Sequence, residues 1–423
     1  MRHAEIIAIG SELLLGGRLD TNSLFLTEQL TWLGIEVRFK SVVGDEVHDI
    51  VKAIKVAARR VEVVVLTGGL GPTLDDVTRE AVARVTGVSL RKHPVALAGM
   101  RRQLAAWGRT PTPAQVRQAW IPVRAQVLAN SLGSAPGFAL RWGKALVVAL
   151  PGVPAEAEQM FIAAAVPWLK PRLALGRHRA QIARRFLHTF GLPEATVEEQ
   201  LTPLVRGCKD VRVGFLASPR GVTVSLTQVG TKVDEGSLDR LHRAARRILG
   251  EHVYAEGTQN MEQVVGRALL KRGWTVAVAE SCTGGLIGHR LTDVSGSSAY
   301  LDRVVVSYSN RSKTELLGVP EGLLKRYGAV SAPVAAAMAH GVRRRSRVQV
   351  GLSVTGIAGP TGATPQKPVG LVYVGLDAMT RNQTKRRRTS LTREFRFHGP
   401  REAIKLRASQ AALDILRQWL EKA

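Results

Sequence analysis

The chain has 423 residues, 45% of them hydrophobic, with ordinary glycine and proline content, which suits a soluble globular protein of two or three domains, each with its own core. The charged start MRHAEIIAIGSE is broken at Gly10 and is no secretory signal, and no apolar run approaches a membrane span. The two cysteines, Cys208 and Cys282, stand far apart without a partner motif, so a reduced, cytoplasmic setting without structural zinc is expected. The formal net charge of +26 raises nucleic acid as a partner, but aromatics are only 5% and are not interleaved with the basic runs, which leaves at most a weak electrostatic association.

In chain order, apolar runs predict strands at 4–10, 37–43 and 61–67, separated by helical patterns that start at Asp20 and span 47–60. Strands separated by helices imply parallel crossovers and an α/β sheet, whose ligands gather at the carboxyl ends of the strands. The three exits carry Gly10-Ser11-Glu12 followed by Asp20-Thr21-Asn22, then Gly44-Asp45-Glu46, then TGGLGPTLDDVT from Thr67 to Thr78. The glycines of the last motif let backbone N–H groups surround an anion, although it has neither P-loop nor GxGxxG spacing. Asp75 and Asp76 read as the opening of the next helix, favoured there by its dipole, or alternatively as oxygen ligands of a divalent cation beside phosphates.

Residues 93–120 predict a helix, a break at Pro111-Thr112-Pro113 and a second short helix, with Trp107 and Trp120 expected as core or packing residues rather than as the alternative, ligand stackers. A strand at 146–150 and an amphipathic helix at 156–169 close this part. From Pro171 the pattern changes to a smaller α+β unit with a hairpin turning at Ser218-Pro219-Arg220-Gly221, flanked by helices at 196–206 and 238–249.

From Met261 a third unit starts with a helix at 261–272 and has strands near 274–279, 302–307, 348–355, 369–377 and 390–397, with a closing helix at 401–422. VAVAESCTGGLIGHRL, 276–291, is a strand that turns through small residues into a helical pattern. Ser281 at this corner reads as a nucleophilic hydroxyl near a helix start, or, with Thr283, as an ordinary N-cap. Tyr308 and Lys313 lie five residues apart across a second strand-to-helix turn, and a lysine with a lowered pKa can serve a serine as base. SVTGIAGPTGATPQKPVG, 353–370, is a strand followed by a glycine- and proline-rich loop suited to a phosphate-bearing substrate. The helix at 332–342 reads as buried, and His340 as structural, without a carboxylate partner. The basic run Arg343-Arg344-Arg345-Ser346-Arg347 ends that helix, and Lys385-Arg386-Arg387-Arg388 reads as a loop between strands.

The strings AESCTGG, SYSNRSKTELLGV, GAVS, TGIAGP and KPVG resemble the C-terminal domain of the CinA family of competence/damage-inducible proteins, also found as the stand-alone nicotinamide-nucleotide amidase PncC. GSELLLG, DTN, TGGLGPTLDD, NSLGSAPGF and LPGVPAE resemble its N-terminal domain, a relative of the molybdopterin-binding MogA/MoeA fold, and the middle unit resembles a KH-like connecting domain. The architecture thus expected is α/β: a MogA/MoeA-like domain over 1–170, a small α+β unit over 171–256 and an α/β CinA/PncC domain over 257–423.

The resemblance implies that the C-terminal domain deamidates nicotinamide mononucleotide (NMN) to nicotinate mononucleotide and ammonia without a cofactor. Ser281 matches the nucleophile and Lys313 and Tyr308 its proton-handling partners. Backbone around Thr283, Gly284 and Gly285 would stabilise the oxyanion, and Thr355, Gly356, Arg401 and Lys405 would meet substrate. Lys405 stands where the family has arginine, which removes a bidentate fork, and Ala363 stands where a glycine is usual. The N-terminal domain would hydrolyse ADP-ribose to AMP and ribose 5-phosphate with a divalent metal such as Mg2+. Asp45, Asp75, Asp76 and Glu156 would handle metal or water, and Glu12, Asn22, Gly68, Gly69, Gly71, Thr73, Gly133 and Ser134 would hold the nucleotide and its phosphates. A molybdopterin-like ligand is the fold-level alternative. The connecting unit lacks a GxxG loop and has Ala195 in place of the family's serine, so it reads as a spacer in a homodimer rather than an RNA-binding module. The competing class is a non-catalytic binding protein with a recombination-protein partner.

Overall fold

The computed structural model describes residues 2–173, 181–208, 210–230, 233–381 and 386–423. Contacts divide the chain into two compact units, Met1–Ile182 with Val229–Val233, and Ala183–Gln228 with Asp234–Ala423.

The first unit runs β1 (Arg2–Ile9), α1 (Ser11–Leu14), α2 (Thr21–Trp32), β2 (Ile35–Val43), α3 (Val47–Arg60), β3 (Val63–Thr67), α4 (Thr78–Thr86), β4 (Leu90–Lys92), α5 (Pro94–Ala106), α6 (Pro113–Arg117), β5 (Trp120–Pro122), β6 (Gln126–Leu128), β7 (Gly137–Trp142), β8 (Ala145–Leu150), α7 (Pro154–Met160), a π-helical turn Phe161–Ala165 and α8 (Val166–Arg172). Among the described residues one six-stranded sheet has the order β2-β1-β3-β8-β7-β6. β1 pairs in parallel with β2 and β3, and β3 with β8, while β7 and β6 add antiparallel at the edge. The central strands are apolar at nearly every position because both faces are covered. Ile7, Val64 and Val147 enter one core, and Ile6, Val65 and Val148 the other. The strand order reverses on either side of β1, so a crevice opens outside the carboxyl ends of β1 and β3.

Three expectations for this unit need correction. Asp75 and Asp76 do not open a helix, since α4 starts at Thr78 with Val77 as N-cap. The helix expected at 156–169 starts at Pro154 and passes through the π-helical turn. Trp107 and Trp120 are not core residues but 46% and 43% exposed, since Trp107 follows the last turn of α5, which buries Ala96, Met100 and Leu104 instead, and Trp120 is the exposed first residue of β5.

The second unit opens with β9 (Gln181–Thr189), α9 (Glu194–Val205), β10 (Val211–Ser218), β11 (Gly221–Gly230), α10 (Glu235–Leu249) and β12 (Val253–Glu256). These strands form a sheet of order β10-β11-β9-β12, with the two-residue hairpin loop Pro219-Arg220 where it was expected. It continues with α11 (Met261–Arg272), β13 (Val276–Glu280), α12 (Leu286–Thr292), β14 (Leu301–Val306), α13 (Asn310–Leu317), α14 (Glu321–Tyr327), α15 (Ala332–Ser346), β15 (Val350–Gly356), β16 (Leu371–Arg381), β17 (Arg386–Arg396) and α16 (Arg401–Lys422). The five strands β14-β13-β15-β16-β17 form one sheet, parallel at β14, β13 and β15 and antiparallel beyond. Again the order reverses around one strand, β13, and its carboxyl end carries Ser281.

Two buried arginines tie this unit together. Arg290 of α12 donates to Glu262 of α11 and to Ser409 and Gln410 of α16, at 2.7, 2.8 and 2.6 Å. Arg417 of α16 pairs with Asp414 and donates to the carbonyl of Glu251 at 2.7 Å. His340 has the carboxylate partner that the sequence did not reveal: its Nδ1 lies 3.1 Å from Asp377, which also pairs with Arg343 and Arg388. These two arginines come from the two basic runs. The second run is not a loop, because Arg386, Arg387 and Arg388 begin β17, and Lys385 lies outside the described residues. No described helix is long and apolar enough to cross a membrane.

Candidate active sites

In the second unit β13 delivers Ser281 to the edge of the sheet, held by its own N–H to the Val354 carbonyl at 3.1 Å. Ser309 caps α13 through the Ser312 N–H at 3.0 Å, and Lys313 lies on that helix's buried face. Only 1% exposed, Lys313 points Nζ at Ser281 Oγ, 3.1 Å away, and donates to the carbonyls of Ser307 and Tyr308 at 2.8 and 3.3 Å. Burial pulls its ammonium pKa down from 10.5 to about 8. Burial pushes the neighbouring Cys282 thiol up to about 12. Cys282 therefore stays a protonated core residue, and of the two adjacent candidates only the serine hydroxyl meets a base.

Neither Ser281 nor Thr283 caps a helix, since α12 begins at Leu286 with Gly285 before it. The buried Glu280 does that work: its carboxylate accepts from the N–H groups of Gly285, Ile287 and Gly288 at 3.0, 3.2 and 2.8 Å. The Gly284 N–H is turned to the Ser281 carbonyl at 3.1 Å. The expected oxyanion donors at Gly284 and Gly285 are thus already engaged. The Cys282 N–H turns to its own Sγ, and the Thr283 N–H has no backbone acceptor among the described residues.

The remaining candidates gather around this corner in differing roles. Arg401 donates to the Gly359 carbonyl at 2.6 Å and to the Tyr308 hydroxyl at 3.0 Å. Tyr308 is 62% exposed and its hydroxyl faces Arg401, while only its carbonyl meets Lys313. Lys405 Nζ lies 3.8 Å from where a Cβ on Gly284 would stand. Thr355 donates its hydroxyl to the Ala329 carbonyl at 2.9 Å, and Lys367 bonds the carbonyls of Tyr327 and Val330, so GAVS is pinned by the two motifs that follow it. Gly356 has no room for a side chain, with Leu371 O 2.8 Å and Cys282 Sγ 3.1 Å from an added Cβ.

In the first unit the crevice at the switch point is a cavity of about 570 Å3. Glu12, Asp45, Gly68, Gly69, Gly71, Asp75, Asp76, Ser134 and Glu156 all line it. Gly68 holds φ at 109°, and an added Cβ would fall 2.1 Å from the Ile9 carbonyl, so only glycine lets β3 turn so close to β1. Gly133 is a clearance position, because Glu156 Oε2 would be 2.1 Å from a Cβ there. Asn22 and Thr73 do not line the cavity. Asn22 bonds Thr67 Oγ1 and the Gly152 carbonyl at 2.8 and 2.9 Å, and Thr73 donates its N–H to Asp76 at 2.8 Å.

Sequence reasoning missed four participants. Arg79 is buried and donates to the carbonyls of Leu70, Gly71 and Asp76, which fixes the TGGLGPT loop from behind. Arg18, Trp107 and Gln118 line the cavity but lie outside any glycine-rich motif. Among the described residues no three His, Cys, Asp or Glu groups come together as a ready metal cage. Asp45 is engaged with the Ser11 N–H at 2.7 Å and Glu156 with Asn130 at 2.7 Å. These carboxylates fit a hard cation that takes one or two of them and completes its shell with water and phosphate oxygens.

Comparison with known proteins covers nearly all of the chain. Residues 5–171 match the "Probable molybdopterin binding domain" family, 184–255 the "Damage-inducible protein CinA KH domain" family and 258–420 the "CinA C-terminal domain" family. A CinA-like protein of Anaeromyxobacter sp. is 42% identical over 417 residues, covering 98% of each chain. The crystal structure of a competence/damage inducible protein from Agrobacterium tumefaciens is 40% identical over 38% of this chain and 95% of its own, with a TM-score of 0.35. With an N-terminal MoaB/Mog-like domain, a KH-like domain and a C-terminal CinA domain in one chain, the protein belongs to the CinA family of competence/damage-inducible proteins.

Proposed function

We propose that the C-terminal site is a serine amidase acting on NMN. The observation that carries this reading is the 3.1 Å contact between Ser281 Oγ and a buried Lys313 whose pKa is lowered to about 8. Ser281 Oγ attacks the carboxamide carbon while Lys313 accepts its proton. The C–N bond then breaks, the proton passes to the departing nitrogen, and ammonia leaves an acyl ester. Water hydrolyses that ester to the nicotinate carboxylate and restores Ser281. The oxyanion falls to the Thr283 N–H, which has no backbone acceptor among the described residues. Tyr308 acts through Arg401 and the substrate rather than on Lys313, and Arg401 and Lys405 supply positive charge for the phosphate. Ammonia release from NMN by the purified protein tests this. Release that survives chelator and vanishes in Ser281→Ala is expected, and unchanged turnover in that variant would refute the mechanism.

For the N-terminal site the supported reading is hydrolysis of ADP-ribose to AMP and ribose 5-phosphate. Five carboxylates and one guanidinium, that of Arg18, line the cavity of a chain whose overall charge is strongly positive. An anionic diphosphate enters such a cavity only with a counter-cation, so a divalent metal is required for binding as well as for chemistry. When bound, the cation neutralises the diphosphate, while the Gly68–Gly71 backbone positions the phosphates and the remaining acids orient water. Excess chelator abolishes ADP-ribose cleavage on this reading, and full activity in chelator would sink it.

A further inference from the structure

The N-terminal cavity carries an aromatic face and an unpaired amide that phosphate binding does not explain. Trp107 follows the last turn of α5, lines the cavity and is 46% exposed, and no ring or cation stacks on it among the described residues. Gln118 lines the same cavity from the turn after α6 and is 1% exposed. Its Oε1 is buried without any hydrogen-bond partner. A buried amide oxygen left unpaired costs about 1–3 kcal/mol, so its place on a cavity wall asks for a donor from a ligand. The segment bearing Gln118 is fastened to the phosphate loop, because Arg117 donates to the Pro72 carbonyl at 2.9 Å. The amide therefore sits at a fixed reach from the glycines.

We infer that Trp107 and Gln118 form the base subsite of the N-terminal cavity and select an aminopurine. The inference rests on the proposed nucleotide hydrolysis at that site and names the part of the substrate it grips. An indole face stacks on any base. A glutamine amide offers an acceptor beside a donor, which matches an exocyclic amine next to a ring nitrogen, as adenine presents. The diphosphate then lies over Gly68–Gly71, with the ribose 5-phosphate end directed away from Trp107.

The test is calorimetric titration of the full chain in magnesium buffer with AMP, IMP and ribose 5-phosphate, for wild type, Trp107→Ala and Gln118→Leu, together with KM for ADP-ribose. Trp107→Ala weakens AMP binding roughly tenfold or more and leaves ribose 5-phosphate binding and the melting temperature unchanged. Wild type prefers AMP over IMP by about tenfold, and Gln118→Leu erases that preference. Equal AMP affinity and equal KM in Trp107→Ala overturn the subsite while leaving the hydrolase reading intact. Equal AMP and IMP affinity in wild type removes Gln118 from it. Trp107-dependent AMP binding without ADP-ribose cleavage leaves the subsite standing and ends the hydrolase reading, and a wild type that binds no AMP ends both.

Discussion

Lys313 concentrates the conflict between stability and chemistry. Its ammonium is buried, and its pKa falls from 10.5 to about 8 because burial disfavours the charge. Between those values the native state binds fewer protons than the unfolded chain, so stability rises with pH across that window. The cost is fully present below about pH 8 and absent above 10.5. At neutral pH it amounts to about 3 kcal/mol. Lys313→Met therefore abolishes ammonia release yet raises the free energy of unfolding by up to about 3 kcal/mol, and it flattens the rise above pH 8. Denaturant melts of both proteins at pH 7 and pH 10 check this, and an equal loss of stability at both would refute it. The amidase rate follows the neutral amine, so it climbs with pH and levels off above about 8. Gln118 and Trp107 belong to the same scale, since each departs from the rule for its residue type at a cavity wall.

At the scale of elements, the turn from β13 into α12 is held by one carboxylate. Glu280 satisfies three N–H groups at the start of a helix that supplies no capping side chain of its own. Glu280→Ala leaves two buried donors and one half-buried donor unpaired and costs about 2 kcal/mol or more, with the amidase lost as the Ser281 corner relaxes. Glu280→Gln keeps an acceptor and loses less. Thermal melting beside ammonia release measures both, and an unshifted melt in Glu280→Ala would contradict this account. The TGGLGPT loop depends in the same way on Arg79, so Arg79→Met should impair ADP-ribose cleavage and spare ammonia release, because the amidase residues all lie in the other compact unit. The two activities, assayed in one preparation, decide it.

At the scale of the whole molecule, 60 lysines and arginines exceed 34 acids by 26, and that count already offsets the ion-paired groups, such as Arg343 and Arg388 on the buried Asp377. The excess predicts sequence-independent retention of duplex DNA at low salt. Between about 50 and 200 mM salt the affinity should fall by orders of magnitude, equally for unrelated sequences. A fluorescence-anisotropy salt titration on two duplexes checks this, and a sequence preference that persists at the higher salt would point to base readout instead.

Local pattern determined a good deal by itself. Helices at Met261–Arg272 and Arg401–Lys422, the Pro219-Arg220 hairpin, the strands β1, β2, β3 and β8 and those of the five-stranded sheet were legible because periodicity and turn chemistry are local, whereas β6 and β7 went unread. Ser281 and Lys313 were legible as candidates because each sits at a strand-to-helix turn, where small residues leave a mark in the sequence. The distance between them, 32 positions apart in the chain, was not. Only the folded structure showed that Glu280 takes the Gly285 N–H expected at the oxyanion, that Asp377 meets His340, that Arg79 props a loop and that Trp107 lines a cavity. The Asp377–His340 pair joins groups 37 positions apart, and Trp107 depends on which side of an element is covered, whereas Glu280 and Arg79 reach backbone within nine positions of themselves through loop conformations that no periodicity announces. A carboxylate has the same letter whether it faces solvent, a helix end or a substrate, and only the completed fold assigns its partner.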